Sequence, residues 1–264
     1  MTDNRSIETL FPELASFGPE DFARIGTARP TLMIAMTART GSSHLCSGLS
    51  STLPIGKPTE LFNGRDTLVW EKKRRGVETF SQLLAQYFLE SSGTITFKTS
   101  WIDFEYFKNH IFRIFSNLTI IYLNRLDVEA QAVSLFKAVV TGNWHDSPGI
   151  AKQQVMPPEE IAKKFDLLRI CNAINALNRE KVAWEDFFFE HEIQPARVNY
   201  ESFMFDLQSA VRQIALHIGY ADTDVSNLNS EFKAISDNIN EEWLKKVRNY
   251  RNGNFYGRYR ALQL

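Results

Sequence analysis

Three short strand-like runs constrain this chain more than any other feature: residues 31–36 (Thr-Leu-Met-Ile-Ala-Met), 94–98, and 118–123 (Leu-Thr-Ile-Ile-Tyr-Leu). Each leads into turn or charged residues and then into apolar positions at helical spacing. Runs this short and this apolar read as strands covered on both faces. After residue 36 come Arg39-Thr-Gly-Ser-Ser-His and leucines at 45 and 49, a strand, a tight turn and a helix. Phe80, Leu83, Leu84, Tyr87 and Phe88 predict a helix ending before Gly93. Val133, Phe136, Val139 and Val140 predict another from Asp127 to Gly142. Pro157-Pro158 opens the longest helical stretch, with Ile161, Phe165, Leu168 and Cys171 on one side, and Pro195 closes it. Residues 197–200 are a fourth short strand. Phe203, Leu207, Val211, Ile214 and Ile218 then run into Gly219. Residues 1–30 read as a polar lead-in without chemistry, and 54–63, 64–76 and 142–158 as loops.

Strands alternating with helices predict an α/β fold, a mostly parallel sheet with helices on both faces, formed by residues 1–264 as a single domain. Ligands gather at the carboxyl ends of such strands. Residues 37–43, 98–101 and 124–127 are therefore where chemistry is expected.

The chain has 30 Lys plus Arg and 31 Asp plus Glu, a net charge of −1, which argues against a protein that coats nucleic acid. Twenty Phe against 13 Gly exclude disordered and collagen-like chains. Two cysteines cannot make a disulfide framework, and neither has companions that would hold zinc. The first residues lack the apolar core of a signal peptide, and no run approaches a membrane span. A cytoplasmic location is the expectation.

In Arg39-Thr40-Gly41-Ser42-Ser43 a glycine lets successive N–H groups converge at a helix N-terminus, two hydroxyls add donors, and Arg39 adds a forked cation. Such a turn suits a phosphate or a sulfate. It lacks the lysine and second glycine of the nucleoside triphosphatase loop. Arg125, just past the third strand, and Ser134, nine residues later, form a second anion pocket if the helix starts near Asp127.

The segments Ala38-Arg-Thr-Gly-Ser-Ser-His-Leu-Cys, Gly56-Lys-Pro-Thr-Glu-Leu-Phe62 and Ile121-Tyr-Leu-Asn-Arg through Ala138, followed by Trp184-Glu-Asp-Phe-Phe, Ile193-Gln-Pro and Val198-Asn-Tyr-Glu201, resemble the bacterial trehalose 2-sulfotransferase-like family. The resemblance implies a P-loop-type, sulfotransferase-like fold. It also implies transfer of a sulfuryl group from 3′-phosphoadenosine 5′-phosphosulfate (PAPS) to a carbohydrate hydroxyl; no metal is expected, since Arg39 and Lys98 can neutralise the donor. Carried over, it puts the 5′-phosphosulfate on Arg39, Thr40, Gly41, Ser42 and Ser43, and the 3′-phosphate on Arg125 and Ser134. One ligand with two anionic groups accounts for both pockets. The resemblance also suggests a homodimer.

Such transfer needs a base for the acceptor proton. Cytosolic sulfotransferases carry a histidine after a Lys-Thr pair, where this chain has Lys98-Thr-Ser-Trp101. The resemblance assigns the base to Glu60 instead, although loop glutamates are usually solvated. Arg39 and Lys98 are the cations expected to meet charge on the transferring group, with Lys98 equally readable as a solvent-facing lysine. Phe62, Trp101, Trp144 and His145 are candidate sugar contacts, with core packing as the alternative for each. Two other readings stay open, a P-loop small-molecule kinase and a noncatalytic nucleotide- or carbohydrate-binding protein. Finally, residues 243–264 hold six basic and no acidic residues, either a solvated tail or a segment folding over the donor's 3′ end.

Overall fold

The computed structural model describes residues 5–91, 93–144, 156–230 and 237–261, and the side chains of the first and last of these segments over 7–91 and 237–253. The elements run α1 (Arg5–Leu10), a 3-10 turn (Pro12–Ser16), α2 (Pro19–Arg24), β1 (Thr31–Met36), α3 (Ser42–Thr52), α4 (Thr67–Arg75), α5 (Phe80–Glu90), β2 (Ile95–Ser100), α6 (Trp101–Phe104), α7 (Ile111–Ile114), β3 (Leu118–Asn124), α8 (Val128–Thr141), α9 (Pro158–Ala162), α10 (Leu167–Glu190), β4 (Ala196–Asn199), α11 (Tyr200–Phe205), α12 (Leu207–His217) and α13 (Asn238–Ala261).

All strand pairs are parallel, in the order β2-β1-β3-β4. The pairing aligns Met36 with Ser100 on one side and with Leu123 on the other. From β1 the chain crosses to one flank for β2 and then to the other for β3. The order reverses at β1, so the crevice beyond its carboxyl end is where a ligand site belongs.

Both faces of β1 are covered, as its unbroken apolar run required. Met33 and Ala35 join an aromatic-rich cluster with Phe11, Phe80, Leu83, Phe104, Phe107 and Trp184. Leu32, Ile34 and Met36 face Leu45, Leu49, Phe203, Val211 and Ile214. A third cluster joins α8, α10 and α13 through Val133, Phe136, Ile174, Trp243 and Val247. The observed α/β architecture, a parallel sheet with helices on both faces, is the one the run pattern predicts.

Aspartates cut helices that apolar spacing alone ran together. Asp166 accepts from the Arg169 N–H at 3.0 Å and starts α10, separating it from α9, and Leu168 is 70% exposed rather than on the inner side. Asp206 accepts from Ser209 N–H at 2.9 Å and separates α12 from α11. An aspartate satisfying free N–H groups at a helix start is favourable enough to decide the break. Asp127 does the same for α8, accepting from Ala130 N–H at 2.9 Å, where a start was expected. Residues 64–76 are not simply a loop, because α4 lies within them. The first 30 residues are not a polar lead-in either, since Phe11, Leu14 and Phe22 are buried in the core. Among the described residues no helix is long and apolar enough to cross a membrane.

Candidate active site

The turn between β1 and α3 is held in an uncommon conformation. Arg39 has φ 65° and Gly41 φ 74°, both left-handed. A non-glycine residue there stores about 1–3 kcal/mol, which the surroundings must offset. They do so with hydrogen bonds. Thr40, fully buried, donates from its hydroxyl to Thr37 O at 3.0 Å, so its side chain locks the turn and does not face the cavity. Gln131 of α8 donates to Thr37 Oγ1 at 2.7 Å and Ala38 O at 2.6 Å. Sequence reasoning passed over Gln131, although it lies three residues before Ser134 and so on the same helix face.

Lys98 is not a solvent-facing strand-end lysine. It is 6% exposed, and its ammonium lies 3.0 Å from Ser43 Oγ, 3.4 Å from Ser42 Oγ and 3.3 Å from Glu60 Oε1. Glu60 is brought there because its loop runs beside β2: Lys98 N donates to Thr59 O at 2.8 Å, and Thr59 bridges to Phe97. Asn63 then donates from Nδ2 to Glu60 Oε2 at 2.9 Å, while its Oδ1 accepts from the N–H groups of Arg65 and Asp66. One carboxylate oxygen is thus oriented by an amide and the other by a cation.

The residues expected to form the second anion pocket are contiguous with the first turn. Arg39 Nε donates to Ser134 Oγ at 3.0 Å, and Arg125 donates to Arg39 O at 3.1 Å. The Arg125 guanidinium sits 4.2 Å from the Tyr200 ring centroid, a cation–π contact. Burial lowers the pKa of both arginines, and for Arg39 the neighbouring Arg125 charge lowers it further. Arg125 Nε is buried without a hydrogen-bond partner among the described residues. Two crowded, desolvated guanidiniums with a donor to spare suit a multiply charged anion. Lys181 donates to Arg125 O at 2.5 Å and Glu201 accepts from Leu126 and Asp127 N–H groups, so the loop after β3 is held from two sides.

Arg39, Ser43, Glu60, Lys98, Arg125 and Ser134 line one cavity of about 690 Å³, which extends past Trp144 and α13. Trp144 is 42% exposed and its carbonyl accepts from Arg39, so it belongs to the rim. Two of the expected sugar contacts do not. Phe62 is buried and stacks on Phe107 at 4.4 Å, and Trp101 packs edge-on against Trp184 at 5.1 Å. The aromatic-rich core takes in Phe62, and half-buried Trp101 packs against it. His145 lies outside the described residues. His44 also lines the cavity and bonds to Ser230 Oγ at 2.7 Å. Among the described residues no group of three His, Cys, Asp or Glu could hold a metal ion.

The basic C-terminal segment does not direct its described arginines to the cavity. Arg248 pairs with Asp127 at 2.6 Å and with Glu129, and Arg251 pairs with Glu129 at 2.5 Å. The N-terminal turn of α8 neutralises them, while Asn240, Glu241 and Leu244 of the same helix contribute to the cavity wall.

Over 133 residues, half of the chain, the sequence is 25% identical to trehalose 2-sulfotransferase of Mycolicibacterium smegmatis. The chain spans 46% of that protein's length in the match. The sulfotransferase of Alicyclobacillus acidocaldarius aligns over 84% of this chain and 92% of its own, at 14% identity and a TM-score of 0.47. Mouse sulfotransferase SULT7A1 complexed with PAP aligns over 92% of this chain and 70% of its own, at 11% identity and a TM-score of 0.41. The family model for Stf0 sulphotransferase matches residues 103–252, more than half of the chain, with Arg125, Ser134 and α10 inside the match. The chain belongs to the Stf0 sulphotransferase family.

Proposed function

We propose that this chain transfers the sulfuryl group of PAPS to a carbohydrate hydroxyl, with Glu60 as the general base. The observation that carries the reading is the position of Lys98. Its ammonium lies between the two serines of the anion turn and the Glu60 carboxylate. A cation there faces the developing charge on a group leaving the turn, and the carboxylate beside it is within reach of an incoming hydroxyl.

The chemistry follows from that arrangement. The N–H groups at the start of α3 with Ser42 and Ser43 hold the 5′-phosphosulfate, and Arg125 with Ser134 holds the 3′-phosphate. Glu60 accepts the proton of the attacking hydroxyl as the new oxygen–sulfur bond forms. The old sulfur–oxygen bond breaks, and its electron pair stays on the phosphate oxygen of the departing 3′-phosphoadenosine 5′-phosphate (PAP). Lys98 and Arg39 supply positive charge to that oxygen, so catalysis is positioning plus electrostatics, as in phosphoryl transfer. Trehalose, the sugar named in the mycobacterial relative's activity, is the first acceptor to try. Two unpaired cysteines, Cys46 and Cys171, accord with action in the reducing cytoplasm.

The test is PAP release from PAPS in the presence of a saccharide panel, with and without a chelator, for the wild type and Glu60→Gln. Acceptor-stimulated release that ignores the chelator is expected. Glu60→Gln should retain PAP affinity and lose about 10²- to 10⁴-fold in transfer, the range a general base supplies. Undiminished turnover in that variant removes the assignment.

A further inference from the structure

One wall of the cavity is a single face of α10. Arg169, Ala173, Ala176 and Glu180 line it, spaced four, three and four residues apart, the repeat of one helix side. The two alanines leave room between the longer side chains. Arg169 lies over the Phe136 ring, 5.2 Å from its centroid. One step further along, the helix is pinned to the sheet: Trp184 Nε1 donates to Met36 O at 3.0 Å and Lys181 holds Arg125 O. The face is therefore fixed above the carboxyl ends of β1 and β3.

Glu180 has no part in that pinning. Its Oε2 is buried and has no hydrogen-bond partner among the described residues. An unmatched buried carboxylate oxygen is costly, and structures rarely keep one without a use. Burial, and then the charge of Asp103, push the Glu180 carboxyl up to about 7, with Arg65 opposing. Near neutral pH the group can therefore accept or donate a hydrogen bond.

Its neighbours say which end of the cavity it serves. Asp103 accepts from Ser100 Oγ at 2.7 Å and pairs with Arg65 at 3.2 Å, and the Arg65 backbone is held by Asn63, the residue that orients Glu60. Asp103 in turn feels the charge of Glu60. Glu60, Asp103 and Glu180 are thus three carboxylates in succession on the cavity wall, each feeling the charge of the next. A row of carboxylates repels the anionic donor. A neutral molecule rich in hydroxyls brings O–H donors without charge.

Resting on the sulfotransferase reading above, we propose that Glu180 binds a hydroxyl of the carbohydrate acceptor remote from the reacting one, and that it helps set which saccharides are accepted. Arg65 and Asp103 fix the adjoining part of that subsite.

The experiment compares wild type, Glu180→Gln and Glu180→Leu, each loaded with PAP. Trehalose, maltose, sucrose and cellobiose binding is read by saturation-transfer NMR, and transfer from PAPS by PAP release. Melting curves confirm that each variant is folded. Glu180→Leu should lose about tenfold or more in saccharide affinity, the scale of a hydrogen bond to a charged group. Glu180→Gln, which keeps an acceptor oxygen, should lose less. The PAP dissociation constant should be the same in all three. Equal saccharide affinity in wild type and Glu180→Leu overturns the role of Glu180 and leaves the transferase reading standing. Saccharide binding that depends on Glu180 without any transfer overturns the transferase reading and supports the subsite. No saccharide binding to the wild type overturns both.

Discussion

Replacing Gly41 by alanine perturbs the anion turn in two separable ways. The backbone at Gly41 has φ 74°, which costs an alanine about 1–2 kcal/mol. Its added Cβ would also lie 2.8 Å from Phe203 Cζ and 2.9 Å from Tyr200 Cδ2 and Cε2. Forcing a methyl group into such a contact adds about 1–3 kcal/mol. Gly76 supplies the internal control, since it has φ 62° but nothing within 4 Å of an added Cβ. Gly76→Ala should therefore lose about 1–2 kcal/mol and Gly41→Ala about 2–5 kcal/mol, at roughly 2–4 °C of melting temperature per kcal/mol for a chain of this size. The two should differ in binding as well. Tyr200 is the ring under Arg125, and Arg125 donates to the Arg39 carbonyl within the turn. A displaced Tyr200 moves a cation of the second pocket, so PAP affinity should fall in Gly41→Ala only. Calorimetric melting and titration calorimetry with PAP measure both. Equal melting losses with equal PAP affinities would refute the close packing of the turn on α11.

Arg125→Ala should weaken PAP about 10- to 100-fold, the scale of a charge-assisted hydrogen bond, and leave binding of adenosine 5′-phosphosulfate, which lacks the 3′-phosphate, near wild type. Equal losses for both ligands would move Arg125 out of the 3′ pocket. The pH dependence of stability gives another check on Glu180. Its carboxyl titrates near 7 in the folded chain, above the ordinary carboxylate range, so folding is favoured at low pH and loses stability as pH rises from about 4.5 through 7. Glu180→Gln lacks that loss, and its melting temperature should exceed the wild type's by a margin that grows from pH 5 to pH 8. Arg248→Ala removes exposed pairs to Asp127 and Glu129, each contributing about 0–1 kcal/mol, so melting should fall by only a few degrees while titration shows unchanged PAP affinity.

The parallel sheet was legible because strands buried on both faces are mostly apolar, and β1 is so from Leu32 to Met36. The positions of Arg39, Gly41, Ser42, Ser43 and Arg125 followed from the same pattern, since they stand directly after strands. Helix breaks at Asp166 and Asp206 are signalled by the preference of aspartate for helix starts, although apolar spacing runs across both. The fate of individual aromatics was not. Phe62 and Trp101 flank Glu60 and Lys98 in sequence, yet whether an aromatic ring meets a cavity or a core depends on what packs over it. Here Phe107 and Trp184 do, from segments far along the chain.

By itself the sequence determined the strand–turn–helix units, the sheet they form, and the residue types available at the ends of its strands, because periodicity and turn chemistry are local. Only tertiary structure decided how those residues combine. It buried Lys98 between the serine turn and Glu60, joined the turn after β1 to α8 through the Arg39–Ser134 hydrogen bond, and spent Arg248 and Arg251 on the start of α8. It also brought Glu180, unremarkable in the sequence, to the cavity wall with one carboxylate oxygen buried and unpartnered among the described residues. Charge and hydrogen-bond partners are matters of distance in space, and residues 60, 98 and 180 line one cavity only once the strands pair and α10 lies across their ends.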